Sequence, residues 1–255
     1  MLARSFFAFL PLVAALLGAP TARAEAPAPA PPPQKIVYDL TLDGQPIGTR
    51  ELTIRYLPRE DGERRVLEAY TAATVAGQTI ACRSSGQSSA RGATFTTSLD
   101  QAGAISQVQG IELPGGGWRV IVADAAGVKE STLGKDDARL TTLDVLDPGR
   151  TPLLAGGGEL KLLVVETGEV YAGTLDAGQV GTTKVGNTKV TVTRYTATGP
   201  LGSATFDIDE NGILVKSQMR WLGVTVAAAA RAVPAPRSYG TIDLGTPTGI
   251  TEDTL

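Results

Sequence analysis

KIVYDLTLDGQPIGTRELTIRY, residues 35–56, is the stretch that decides the fold. Its side chains alternate with a period of two: Ile36, Tyr38, Leu40 and Leu42 share one face, and Val37, Asp39 and Thr41 the other. A strand sends successive side chains to opposite faces, whereas a helix returns to one face every three or four residues, so this pattern predicts a half-buried strand. Asp43-Gly44 follows, a dipeptide suited to a two-residue hairpin whose central positions both need positive φ. Ile47 to Tyr56 then reads as the returning partner strand.

The same rhythm extends outward. A turn around Arg59 to Gly62 leads into a strand from Arg65 to Val75, and Ala76-Gly77 turns the chain into Gln78 to Gln87. Thr94–Leu99 and Ile105–Leu113 continue the series, and Trp118–Ala123 pairs with Val128–Thr132 over Asp124 to Gly127. The rhythm breaks between Leu133 and Gly158, which we read as a crossover with a short helical turn around Ala138 to Leu146. Strands resume at Leu160–Val165, Glu169–Leu175, Thr182–Val185, Lys189–Ala197, Ser203–Ile208, Ile213–Trp221 and Thr225–Arg231, with Gly186-Asn187 and Asn211-Gly212 as turns. Short segments rich in Val, Thr and Ile, without alternating helices, predict an all-β, mainly antiparallel domain over residues 35–237. The expected form is a strongly curved sheet or incomplete barrel of roughly 10 to 14 strands, whose concave apolar face must be filled by side chains, by the crossover helix or by a ligand.

The flanks read differently. Arg4 precedes an apolar run from Phe6 to Leu17, and Ala22-Arg23-Ala24 offers a small-residue cleavage pattern. This is the layout of a secretory signal peptide at residues 1–24, cleaved after Ala24. The run of about 12 residues falls short of the ~20 that a spanning helix needs. Residues 25–34 form an Ala/Pro-rich linker, stiff because proline fixes φ and lacks a donor. Residues 238–255 read as a polar C-terminal tail. The expected location is therefore periplasmic or secreted, in a bacterial cell envelope, with no membrane span once the signal is removed.

Composition narrows the function. The 255-residue chain has a formal net charge of −3 and no histidine. Removing Arg4 and Arg23 with the signal makes it more acidic, which disfavours gripping phosphate backbones, so no nucleic-acid partner is expected. Without imidazole, Ser-His-Asp and Cys-His schemes and the usual zinc hydrolases are excluded, leaving carboxylate pairs, serine–lysine chemistry and oxygen-ligated calcium. The single cysteine, Cys82, forms no internal disulfide, and in a strand-like run it reads as a small buried apolar residue.

Asp207-Ile208-Asp209-Glu210-Asn211-Gly212 copies the opening of a calcium loop, which makes Asp207, Asp209 and Asn211 the metal candidates. The twelfth position, where such a loop needs a bidentate glutamate, is Gln218, and the flanks read as strands. An acidic β-hairpin turn is the favoured reading. The adjoining Asp136 and Asp137 read as solvated loop charge, because glycoside chemistry needs carboxyls on opposite sides of a bond. Ser84-Ser85-Gly86-Gln87-Ser88-Ser89 reads as a flexible polar hairpin loop, and the glycine triplets at 115–117 and 156–158 as turns or linkers without the lysine of a phosphate loop. No catalytic residue and no cofactor is assigned.

Two stretches carry a family resemblance: Tyr38-Asp39-Leu40-Thr41-Leu42-Asp43-Gly44-Gln45-Pro46-Ile47-Gly48, and a set running from Leu143 to Pro148 through Val190–Tyr195, Phe206-Asp207, Gly212–Lys216 and Gly223-Val224. They resemble uncharacterised exported β-sheet proteins of the domain-of-unknown-function type over Lys35 to roughly Val233. The layout is similar to periplasmic lipoprotein-carrier-like half barrels and to the N-terminal β region of exported transglutaminase-like proteins. The resemblance implies fold and location. It implies no catalytic residues, since transglutaminase-like enzymes use Cys-His-Asp and this chain has no histidine. The leading expectation is a non-catalytic periplasmic protein that binds or carries an apolar, lipid-like ligand in cell-envelope maintenance. The alternatives are a structural protein pairing with an envelope partner, and a carboxylate- or calcium-dependent hydrolase.

Overall fold

A computed structural model describes residues 31–59, 62–148, 157–200 and 202–235. The signal segment, the polar tail and most of the Ala/Pro linker lie outside the described residues. A first antiparallel meander runs through β1 (Gln34–Leu42), β2 (Gln45–Arg59), β3 (Gly62–Val75), β4 (Gln78–Ser89), β5 (Gly92–Gln101), β6 (Ala104–Glu112), β7 (Trp118–Asp124) and β8 (Gly127–Leu133). The crossover holds β9 (Leu140–Thr141) and α1 (Thr142–Leu146). A second meander follows: β10 (Gly158–Val164), β11 (Glu169–Leu175), β12 (Gln179–Val185), β13 (Thr188–Gly199), β14 (Gly202–Asp209), β15 (Leu214–Trp221) and β16 (Val224–Ala230).

All belong to one 16-stranded sheet in which β1 sits between β2 and β16, so the two meanders join at its middle. Every pairing is antiparallel except β9 with β10. The predicted all-β class and open, incomplete barrel therefore hold, with more strands than the expected 10 to 14. Only the two-residue β9 falls outside the segments that alternation marks. The Asp43-Gly44 turn takes the expected positive φ values of 47° and 80°.

The sheet rolls because only one face is apolar. Ile36, Tyr38, Leu52, Ile54, Leu67, Phe95, Val108 and Val120 point inward and are buried. Tyr38 lies over the small Ala230 beside it on β16, and its hydroxyl donates to the Leu214 carbonyl of β15 at 2.8 Å, next to a bulge in the β14–β15 pairing. The roll brings the ends of the sheet together through side chains. A Cβ at Gly168, in the β10–β11 turn, would stand 2.7 Å from Val122 and 3.1 Å from Val120 on β7. No ladder joins β8 to β9, so the barrel stays open.

The crossover helix enters this roll, and Leu143, Val145 and Leu146 are buried. The wall it meets corrects the reading of Ser84 to Ser89 as a flexible loop, because these residues belong to β4. Ser84 is buried, and a Cβ on Gly86 would fall 2.5 Å from Leu143 Cδ1. The run is small because the helix packs on it. Glycine also serves at Gly110, where Phe95 covers the bare backbone and packs on Trp118 with ring centroids 5.5 Å apart.

A Cβ at Gly110 would lie 2.0 Å from the Phe95 ring, while one at Gly181 on β12 would meet nothing within 4 Å. Gly110→Ala is expected to lower stability by about 1–3 kcal/mol, as overpacking does, and Gly181→Ala to stay within about 0.5 kcal/mol of the parent. Urea midpoints of the two variants check this.

Candidate functional site: the two ends of the concave face

One end of the concave face is closed by a polar network around α1. Thr141 caps the helix, accepting from the Asp144 amide at 3.3 Å, while the Asp144 carboxylate accepts from the Thr141 amide at 2.8 Å. Asp144 also receives a short charge-assisted bond from Arg65 of β3. Asp147, just past the helix, is fully buried, accepts from the Tyr56 hydroxyl of β2 at 2.6 Å, and lies 3.6 Å from Arg65 Nη1. Arg65 Nε in turn donates to Ser88 Oγ at 3.1 Å. Burial works against the Arg65 charge, but Asp144 and Asp147 outweigh it and raise its pKa above the ordinary arginine value.

Beside this network lies a cleft of about 730 Å³, within the range of small-molecule sites. Tyr56 and Trp118 supply aromatic surface, but Glu63, Arg65, Glu112, Lys135, Asp136, Arg139 and Asp144 make the lining heavily charged. Arg139 pairs with Asp136 at 3.2 Å, and the Asp137 carboxylate accepts from the Gly134 amide at 2.7 Å. Asp136 and Asp137 thus have separate partners, one an arginine and the other a backbone amide.

The opposite end is bare. Leu42 of β1 pairs with Val226 of β16, which pairs with Met219 of β15; beyond them Trp221 pairs with Val224. These positions share the inward face with the buried Leu40 and Ala228. Nevertheless Met219 is 50% exposed, Trp221 51% and Val224 40%. The result is an apolar strip on the concave side of an open mouth. Arg50 of β2 also faces inward, at the inner end of this strip, and its Nε donates to Thr71 Oγ1 at 2.9 Å. Neither Arg50 nor the Tyr56–Asp147 pair was picked out from the sequence. The signal for Arg50 was present, because it shares the inward parity of Leu52, Ile54 and Tyr56.

The residues singled out from the sequence lie elsewhere. Arg194 grips both oxygens of Asp207, at 2.6 and 2.7 Å, and the pairing with Asp207 raises the arginine's pKa. Asp209 accepts from the backbone amides of Asn211 at 3.0 Å and Ile213 at 2.8 Å, and the Asn211 amide group reaches the second Asp209 oxygen at 3.4 Å. The geometry is that of a side-chain-stabilised hairpin turn. Among the described residues, no group of three or more His, Cys, Asp or Glu is placed to hold a metal ion. Cys82 is buried on the concave wall beside Ser84, and burial pushes its thiol pKa up, which disfavours the reactive thiolate. Among the described residues no helix is long and apolar enough to cross a membrane.

Tyr56→Phe leaves the buried Asp147 carboxylate short of a donor and is expected to cost about 1–3 kcal/mol, read from urea unfolding. At the β14–β15 turn, calcium is expected to leave the melting temperature unchanged, since Arg194 and the backbone already occupy the carboxylates. A rise on adding calcium that Asp209→Ala abolishes would contradict this.

No protein-family model matches the chain, and no curated protein matches it. Among solved structures it is similar to a beta-barrel-like protein of the domain of unknown function DUF1849 from Brucella abortus, with a TM-score of 0.58 and 14% sequence identity over 78% of this chain and 96% of that one. At that identity the likeness is one of fold, and it places this chain with a beta-barrel-like architecture.

Proposed function

We propose that this chain is a non-catalytic, exported protein of the bacterial cell envelope that binds an apolar, lipid-like ligand on its concave face. The observation that carries this reading is the inward apolar strip of half-buried Leu42 and Val226 with exposed Met219, Trp221 and Val224, at the mouth opposite α1. Exposed apolar surface on a concave wall is what such a ligand would cover. The charged cleft at the other end does not suit an apolar molecule. A non-catalytic role is supported by the lack of histidine and by the engagement of Asp144, Asp147, Asp207 and Asp209 in ion pairs, capping and turns. Export is supported by the cleavage pattern at Ala22-Arg23-Ala24.

One observation favours pairing with an envelope protein as a second reading. Strand β8 is a sheet edge exposed from Gly127 to Thr132, so its outer backbone groups are free to accept another strand.

The exported protein, purified in its native state and extracted with organic solvent, is expected to release a lipid detectable by mass spectrometry and to begin at Glu25. Met219→Glu places a charge on the strip and is expected to lower recovered lipid about tenfold or more, because apolar ligands leave that charge unsolvated. A lipid-free extract from the unmodified protein contradicts the ligand reading, and recovery of bound envelope proteins in its place supports strand pairing.

A further inference from the structure

Six of the described arginines stand beside acids. Arg55 pairs with Glu68, Arg65 with Asp144, Arg119 with Glu130, Arg139 with Asp136, Arg194 with Asp207 and Arg231 with Asp39. Arg50 is not among them, and unlike Arg83, which lies over the exposed Tyr70 ring, it shares the inward parity of Leu52 and Ile54. It is half-buried, points into the roll, and bonds to the neutral Thr71 hydroxyl through Nε; among the described residues its guanidinium has no carboxylate within ion-pairing distance. A cation turned toward an apolar interior is costly unless an anion meets it.

Its surroundings indicate where that anion would come from. On the α1 side, Glu166 is held by the Thr142 hydroxyl at 2.9 Å. Burial chiefly raises the Cys82 thiol pKa, with a smaller rise from Glu166 and a smaller lowering from Arg50. On the other side the wall is apolar. From the level of Arg50 and Tyr38 the inward positions run through Leu40 to Leu42, and from Met219 on to Trp221. Six residues of strand span about 20 Å, on the scale of a long acyl chain.

We infer that Arg50 is the headgroup anchor of the concave site, and that the ligand is a long-chain amphiphile with an anionic carboxylate or phosphate end. The inference rests on the concave-face reading above. Arg50 Nη1 and Nη2 receive the anion as charge-assisted donors, and the tail lies along Leu42, Val226 and Met219 toward Trp221.

The test uses three probes of equal chain length, laurate, dodecyl phosphate and dodecanol, titrated calorimetrically into the delipidated exported protein. Either anion is expected to bind at least about tenfold tighter than the alcohol. Arg50→Gln is expected to bring the anions down to the level of dodecanol, while Arg50→Lys keeps part of the difference. Preference for the phosphate assigns the site to phospholipid-type headgroups, and preference for laurate to free fatty acids; both outcomes support the inference. Equal binding of all three probes by the unmodified protein overturns the anchor and leaves an apolar site standing. Binding of none overturns both readings. The comparison of probes on the unmodified protein needs no variant, so a folding defect in Arg50→Gln does not remove the test.

Discussion

The fully buried carboxylate of Asp147 is the interaction on which the rest of the structure depends. It belongs to the crossover, yet its partners, Tyr56 and Arg65, stand on β2 and β3. A buried carboxylate tolerates few geometries, because losing a partner leaves part of its desolvation uncompensated. Asp147 and Asp144 together therefore hold α1 against one part of the concave wall. With the helix fixed there, the inward faces of both meanders acquire a common object to pack on.

That placement divides the interior. Around α1 the wall is built from small residues, with Ser84 and Gly86 on β4 making room for Leu143. Away from α1, Leu42 and Val226 are only half-buried, and Met219, Trp221 and Val224 are exposed. A sheet with one apolar face rolls to hide it, but the rolling stops where the β10–β11 turn meets Val120 and Val122 of β7, before a closing ladder forms. The apolar mouth lies on the central strands β1, β16 and β15, away from the open seam between β8 and β9, and Arg50 lies at the inner limit of its strip.

The strands were legible in the sequence because alternation is a local signal, and hairpins such as Asp43-Gly44 announce themselves by the residues that tolerate positive φ. What failed was inference about residues whose role is set by a partner distant in sequence. Ser84 to Ser89 read as a loop because serine and glycine favour turns, whereas here their size is dictated by a helix more than fifty residues later. Asp147 fell within the crossover between Leu133 and Gly158, and nothing local links it to Tyr56. Arg50 was within reach, since a charge at an inward position of a period-two pattern is an anomaly that parity alone exposes. The Asp207–Asn211 stretch shows the converse: its residue types suit both a calcium loop and a turn, and the bidentate partner Arg194 lies on the neighbouring strand, out of sight of a local motif.

One end of the concave face is filled by α1 and the other is open. The chain's two tryptophans lie at those ends, Trp118 at 7% exposure and Trp221 at 51%. Acrylamide quenching of single-tryptophan variants, Trp221→Phe and Trp118→Phe, measures both directly in delipidated protein. The account predicts a shielded, blue-shifted Trp118 and a readily quenched Trp221 that becomes protected when an amphiphile is added. Equal shielding of the two, with no change at Trp221 on adding amphiphile, would contradict it.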